Sequence, residues 1–342
     1  PRGTILVVRE NELGKETSLW MMLRGYLPRR LKMLRLTDVP PLTETDRQDL
    51  KRRLGEFMAL RFAAIFSDRC LAAVEESFCR LLADEIARYR ASLVAWSAEI
   101  DGLRRYRPRA VFFNHLNEPE LVGMHRVLRD RRIPLVGFQH GVTLEINSRL
   151  RHYDAWFDSA VADLELTFND EGVAVSDKGA YTTARAVSVG LPAEYRRGRR
   201  FGGLRDAPPV WYLATALYLA NEGLLAEGAN DLDRATFERN LIDRVLGRLP
   251  HGVLYKPYPG RRYLDPDPVL ADAEDRPNIS VYARREDVRY IVRSARILIA
   301  ARSFSTPSWC LAADKPLVHI DIPDQAPLTP EARAAFDAGL FL

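Results

Sequence analysis

The stretch that most restricts what this chain can fold into is 296–322, RILIAARSFSTPSWCLAADKPLVHIDI. Its apolar run, Ile297-Leu298-Ile299-Ala300-Ala301, is short enough for a strand buried on both faces and too short for a helix. A polar turn from Arg302 to Pro307 follows. Pro307 has no N–H to lose and a preset φ, so it suits the first turn of a helix that Ser305 or Thr306 can cap. That helix covers 308–313, Lys315-Pro316 stops it, and Leu317-Val318-His319-Ile320-Asp321-Ile322 reads as the next strand. Strand, loop, helix and strand in this order make one unit of a parallel sheet. Hydroxyls and backbone N–H groups at the helix entrance make Ser303, Ser305 and Thr306 candidate phosphate ligands, with plain helix capping as the alternative.

At 342 residues the chain exceeds one ordinary core and fits two domains. Hydrophobic content of 47% and charged content of 28% are those of a soluble globular protein, and no apolar run approaches a membrane span. No signal peptide is visible, and Cys70, Cys79 and Cys310 lack metal-site or CxxC spacing, which favours a reducing, cytoplasmic setting. The net charge is only +4, yet cations gather in 26–35 (YLPRRLKMLR) and 195–205 (YRRGRRFGGLR) without an intervening acid. Such clusters suit an anionic substrate, a membrane surface or nucleic acid, or are solvated surface and linker.

In chain order, 4–8 is a first strand and 16–26 a helix. The fragment Leu13-Gly14-Lys15-Glu16-Thr17 fails as a P-loop, because Arg9 replaces the first Gly and Glu16 the hydroxyl after the Lys. Thr43 to Asp46 opens a helical region over 49–105, with Leu50, Leu54, Phe57, Met58 and Phe62 at helical spacing. The strand 109–113, a polar loop over 114–120, a helix to about residue 131 and the strand 133–138 form a βαβ unit ending in Gln139-His140-Gly141. Both polar loops should lie at the carboxyl edge of one sheet, where open parallel sheets bind ligands. Strands are expected at 153–158 and 186–192, and a linker at 196–209. A second α/β domain follows, with a strand at 210–215, a helix over 233–249, a strand at 252–256, the turn Pro257 to Arg262, a strand at 279–282 and a helix over 287–294. The tail from Thr329 starts as a capped helix with Pro330 at its first position.

The ordered set of strand–QHG, VGLP before the linker, a strand ending in Lys-Pro-x-Pro, and strand–Ser/Thr loop–helix–KPLVHID resembles GT-B glycosyltransferases of bacterial capsule and lipopolysaccharide assembly. It spans roughly two thirds of the chain. The resemblance implies two Rossmann-like α/β domains facing a cleft: an N-terminal acceptor domain over 1–200 with a helical insertion, a nucleotide-sugar domain over 201–328, and a helix over 329–342 that crosses back to the first domain. The Lys-Pro-x-Pro turn and the Ser/Thr loop resemble the elements with which CMP-sugar users, the bacterial sialyl- and 3-deoxy-ulosonate (Kdo) transferases, hold the nucleotide phosphate. Where those relatives carry His-Pro, this chain has Tyr258-Pro259, which leaves UDP, GDP and CDP donors open.

The implied activity is transfer of a sugar, Kdo from CMP-Kdo as the first choice, to a glycan or lipid-linked glycan acceptor. A CDP-polyol phosphotransferase, a UDP-sugar 2-epimerase and a non-catalytic glycan- or nucleotide-binding module are the alternatives. Glycosyl transfer needs a carboxylate or imidazole as base or nucleophile. Glu118, His140 and Glu120 are the catalytic candidates, with Glu145, Asp154 and Asp158 behind them. Gln139, Gly141, Lys256, Tyr258, Pro259, Arg261, Ser303, Ser305 and Thr306 are the donor-binding candidates. Asn169-Asp170-Glu171-Gly172 resembles the acidic base motif of some sialyltransferases but has turn composition. No Asp-x-Asp metal signature has a matching context, so neither a metal nor a cofactor is expected beyond the donor itself, nor a nucleic-acid partner. Peripheral association with the inner face of a membrane, through the basic clusters, is expected.

Overall fold

The computed structural model describes residues 2–114, 119–151, 160–177, 182–197, 203–214, 230–258, 267–322, 325 and 327–341. The first sheet contains β1 (Gly3–Val7), β2 (Tyr26–Arg30), β3 (Pro108–Phe113), β4 (Leu135–Phe138), β5 (Leu164–Thr167) and β6 (Arg185–Ser188), in the order β2-β1-β3-β4-β5-β6. The second contains β7 (Val210–Leu213), β8 (Val253–Lys256), β9 (Ile279–Val281), β10 (Ile297–Ala301) and β11 (Leu317–Ile320), in the order β11-β10-β7-β8-β9. Pairing is parallel from β2 through β4 and throughout the second sheet.

Two-residue alternation explains why the second sheet is covered on both sides. Val210 and Tyr212 of β7 share one apolar cluster with Val253, Tyr255, Ile299 and Ala301, closed by Ala235, Leu241 and Ile242 of helix Asp231–Arg244. Trp211 and Leu213 join Leu254, Leu298 and Ala300 in the other, closed by Cys310 and Ala313. Strands buried on both faces read as continuous apolar runs, as 297–301 does.

Among the described residues the α-helices, in chain order, are α1 (Glu12–Leu23), α2 (Glu44–Phe62), α3 (Asp68–Gly102), α4 (Pro119–Asp130), α5 (Thr143–Ile146), α6 (Asp170–Asp177), α7 (Ala193–Arg197), α8 (the Asp231–Arg244 helix above), α9 (Leu270–Glu274), α10 (Thr306–Ala312) and α11 (Pro330–Gly339). Thr43 caps α2 by accepting from the Asp46 N–H at 3.2 Å, and Ser67 caps α3 by accepting from that of Cys70 at 3.4 Å. The helix expected over 287–294 is instead two 3-10 turns, Val288–Tyr290 and Val292–Ser294. β2 and β5 were not expected, and the strand expected at 153–158 lies outside the described residues.

The chain divides into two compact units, one of residues 1–10, 17–138 and 161–164, the other of 11–16, 139–160 and 165–342. Hydrogen bonds tie the residues after the QHG loop to the C-terminal part of the chain. The Asn147 Nδ2 donates to Ser303 O at 3.2 Å, the Ser148 N–H to Pro327 O at 3.0 Å and the Thr329 N–H to Ile146 O at 2.8 Å. Residues following the QHG loop therefore belong with the C-terminal unit. α11 is capped by Thr329, carries Pro330 in its first turn as expected, and packs against α5.

Candidate active site

The second unit gathers the carboxyl ends of β7 and β8, the loop after β9 and the entrance of α10 around one recess of about 220 Å³. Leu213, Ala214, Lys256, Pro257 and Tyr258 form one side, residues 285–288 another, and Ser305, Thr306 and Trp309 the third. Four of the sequence-nominated donor residues, Lys256, Tyr258, Ser305 and Thr306, thus line the same space.

Each wall residue has a local cause. Lys256 ends a fully buried strand, and its Nζ donates to Arg284 O at 2.8 Å. Burial lowers its pKa from the ordinary lysine value, while the Asp287 and Glu286 carboxylates oppose that shift. Arg302 turns the chain out of β10 with φ at 68°, a left-handed conformation that a side chain rarely adopts. Of the hydroxyl residues that follow, Ser305 and Thr306 line the recess. Ser305 makes no side-chain capping bond to α10; its carbonyl accepts instead from the Ser308 N–H at 3.2 Å. Capping therefore does not account for the Ser305 hydroxyl. Ser303 differs: it is fully buried, its carbonyl holds Asn147, and its hydroxyl has no protein partner.

The QHG loop sits against this loop. A Cβ added to Gly141 would come within 3.2 Å of the Ser305 Cβ, so the glycine permits the close approach. His140 is solvent-accessible, yet the protein around it removes enough water to push its imidazole pKa below the ordinary value, against the pull of the Glu12 carboxylate.

Two candidates take other places. Gln139 is 1% exposed and its polar atoms are spent on the scaffold. Its Nε2 donates to Gly141 O at 2.8 Å and to Glu145 Oε1 at 2.5 Å, its Oε1 accepts from the Phe168 N–H at 2.7 Å, and its carbonyl accepts from Asn11 Nδ2 at 2.7 Å. These bonds make Gln139 a shaping element of the loop. Glu120, in the first turn of α4, accepts from Arg88 Nη2 at 2.6 Å and Nε at 3.0 Å, and its carbonyl holds Trp96 Nε1 at 2.7 Å. These contacts fasten α4 to α3. Glu145 is buried beside Gln139, and burial raises its pKa. Glu118, Asp154, Asp158, Pro259 and Arg261 lie outside the described residues. The acidic stretch at 169–172 opens α6, with the Gly172 N–H donating to Asn169 Oδ1 at 2.8 Å and Glu171 paired to Arg151.

The residues that sequence reasoning missed form the rim behind the recess. Arg289 pairs with Glu12, with Asp287 at 2.7 Å and with Glu194 at 3.2 Å, and its guanidinium lies 4.4 Å from the centre of the Trp309 ring. Trp309 stacks on Tyr195 with centroids 3.8 Å apart and planes 6° from parallel. Burial works against the Arg289 charge, but hydrogen bonds to Asp287 and Glu12 leave its pKa raised. Burial pushes the Tyr195 phenol up to about 12, so it stays a neutral donor. Asp287 and Trp309 face the recess, while Glu12 bears on His140. Trp309 lies inside the helix expected over 308–313; nothing local marks a pairing across 277 positions. Among the described residues no group of three or more His, Cys, Asp or Glu is placed to hold a metal ion.

No protein-family model matches the chain, and no curated protein matches it. Among solved structures, the chain is similar to a UDP-GlcNAc 2-epimerase from Neisseria meningitidis bound to UDP-GlcNAc, with a TM-score of 0.51 and 11% identity over 99% of this chain and 86% of that one. The fold is GT-B-like. A putative UDP-N-acetylglucosamine 2-epimerase from Listeria monocytogenes is matched with a TM-score of 0.49 and 10% identity, covering 99% of this chain and 83% of that one. MurG from Acinetobacter baumannii is matched with a TM-score of 0.42 and 12% identity, covering 99% and 84%. The recess lies at the carboxyl edge of the second parallel sheet, the edge at which open α/β sheets bind ligands.

Proposed function

We propose that this chain is a nucleotide-sugar-dependent glycosyltransferase whose donor lies in the recess at the carboxyl edge of the second sheet. The observation that carries the reading is the convergence of Lys256, Tyr258, Ser305 and Thr306 on one space, with the His140 loop packed against Ser305. In the step proposed, an acceptor hydroxyl attacks the anomeric carbon and its bond to the phosphate oxygen breaks. The nucleotide phosphate leaves with the bonding electrons, and the hydroxyl proton passes to a base. Lys256 and the loop hydroxyls answer the charge that develops on the leaving phosphate. His140 is the described group suited to take the proton, because its lowered pKa keeps the imidazole neutral near pH 7.

CMP-Kdo is the donor proposed first, with a glycan or lipid-linked glycan of capsule or lipopolysaccharide assembly as acceptor at the cytoplasmic side of a membrane. The likeness to a 2-epimerase that binds UDP-GlcNAc favours a second reading, C2 epimerisation of a UDP-sugar. Both are tested by incubating the purified chain with CMP-, CDP-, UDP- and GDP-linked compounds, with and without a glycan acceptor. Glycosyl transfer predicts release of one nucleotide that accelerates with acceptor. Epimerisation predicts a 2-epimer from a UDP-sugar without acceptor. Ligand-dependent thermal shifts without turnover would sink both in favour of a binding module.

A further inference from the structure

Residues 17–37 contain no Asp or Glu and five cations, Arg24, Arg29, Arg30, Lys32 and Arg35. The structure exposes the apolar residues among them. In the last turns of α1, Leu19, Trp20, Met22 and Leu23 are 51%, 57%, 48% and 70% exposed. Leu19, Met22 and Leu23 stand at the i, i+3, i+4 spacing of one helical face. Arg24 and Gly25 then lead straight into β2, an edge strand on which Leu27 and Arg29 share a face and both are exposed. Arg29 lies over the Tyr106 ring at 4.0 Å, and among the described residues Arg24, Arg30, Lys32 and Arg35 form no ion pair. A tryptophan and three long aliphatic side chains left open together, next to unanswered positive charge, mark an interaction face.

Charge selects the occupant. A second copy of the chain would set this acid-free face against its own cations, which like-charge repulsion disfavours. An anionic bilayer answers the cations on this face, takes the aliphatic chains below its headgroups, and accommodates an indole at the level where tryptophan is most at home. α1 is only 12 residues long, and among the described residues no helix is long and apolar enough to cross a membrane, so the contact lies in the interface. We propose that the exposed end of α1 and the edge strand β2 form a docking face for an anionic phospholipid surface.

The test is co-sedimentation of the intact chain with phosphatidylcholine vesicles, with and without phosphatidylglycerol. Binding is expected only to the anionic vesicles, and added salt should release it. Arg24→Gln with Arg29→Gln should lower the partition by about thirtyfold, as two surface charges predict. Trp20→Ser with Leu23→Ser should lower it at least about tenfold. Both double variants should keep the wild-type far-UV circular dichroism and thermal midpoint, since the side chains changed are exposed. Brominated lipids should quench less fluorescence in Trp20→Phe than in the wild type. No binding, equal binding to both vesicle types, or binding unchanged in the variants would overturn the proposal. So would a concentration-dependent dimer that Trp20→Ser with Leu23→Ser abolishes, which would assign the face to a second copy.

Discussion

His140 is pulled two ways. Loss of surrounding water favours the neutral imidazole, the Glu12 carboxylate favours the cation, and the first effect wins. A depressed histidine pKa means the base form persists below the ordinary value of 6.5. If the neutral ring accepts the acceptor proton, kcat/KM should hold from pH 8 down through about 6.5 and fall only in more acidic buffer. His140→Gln should remove that acid limb and cost roughly 10²- to 10⁴-fold in rate, with donor KM little changed. Retention of the same limb in His140→Gln would show that another group titrates. The two neighbours of His140 show what a three-letter motif hides. Gln139 looked like a ligand residue because it sits at a strand end, but burial spends its polar groups on the backbone. Gly141 matters to the fold for its missing side chain, which lets the loop approach Ser305. Burial separates these roles, and burial is not written in the motif.

At the scale of elements, the continuous apolar runs at 109–113, 133–138, 210–215, 252–256 and 297–301 all became strands, because few alternatives exist for short runs bounded by polar turns. β2 was missed because Pro28 and the adjoining arginines look unlike a strand; an edge position tolerates both, since one side of its backbone needs no partner. Helix pairing was equally invisible, and between α3 and α4 a small residue sets how closely the two can approach. A Cβ at Gly123 of α4 would lie 1.9 Å from Ser92 Oγ of α3, which is fully buried and donates to Tyr89 O at 2.7 Å. Gly123→Ala should therefore destabilise the fold by about 1–3 kcal/mol in urea titrations despite its better helix propensity. Ser92→Ala in the same chain should recover part of the loss; no recovery would mean that the clash is not the cause.

β5 and α6 carry a second element-scale consequence. Glu165 of β5 is buried beside Glu145 and Asp177 and accepts from Ser176 Oγ of α6 at 2.7 Å, and burial pushes its pKa from 4.5 to about 7. The folded state then holds a proton that the unfolded chain has released. This favourable contribution is complete below pH 4.5, fades as pH rises, and is gone above about pH 7. Glu165→Gln should thus match the wild type near pH 4.5 and gain stability relative to it toward pH 8, by up to about 3 kcal/mol. Buried histidines such as His319, held at about 4, act in the opposite direction in both proteins, so the difference between them isolates Glu165. A pH-independent difference would rule out this account.

For the whole molecule, the important tie is long-range. Arg289 joins the start of α1, the first turn of α7, the loop after β9 and the Trp309 ring within one compact unit. Three carboxylates share one guanidinium, so the cluster is held by a cation in deficit. Arg289→Met keeps much of the volume and leaves the acids facing one another. Full burial would make such a loss cost several kcal/mol, but Arg289 keeps 14% of its side chain exposed, so about 2–3 kcal/mol is expected. The deficit should shrink in acid, where the orphaned carboxylates take up protons, and that pH dependence separates lost charge from lost packing. Because Asp287 and Trp309 also line the recess, nucleotide affinity measured by calorimetry should fall with stability, while Gly123→Ala lowers stability alone. A variant that loses stability but binds nucleotide as the wild type does would disconnect the ion cluster from the recess.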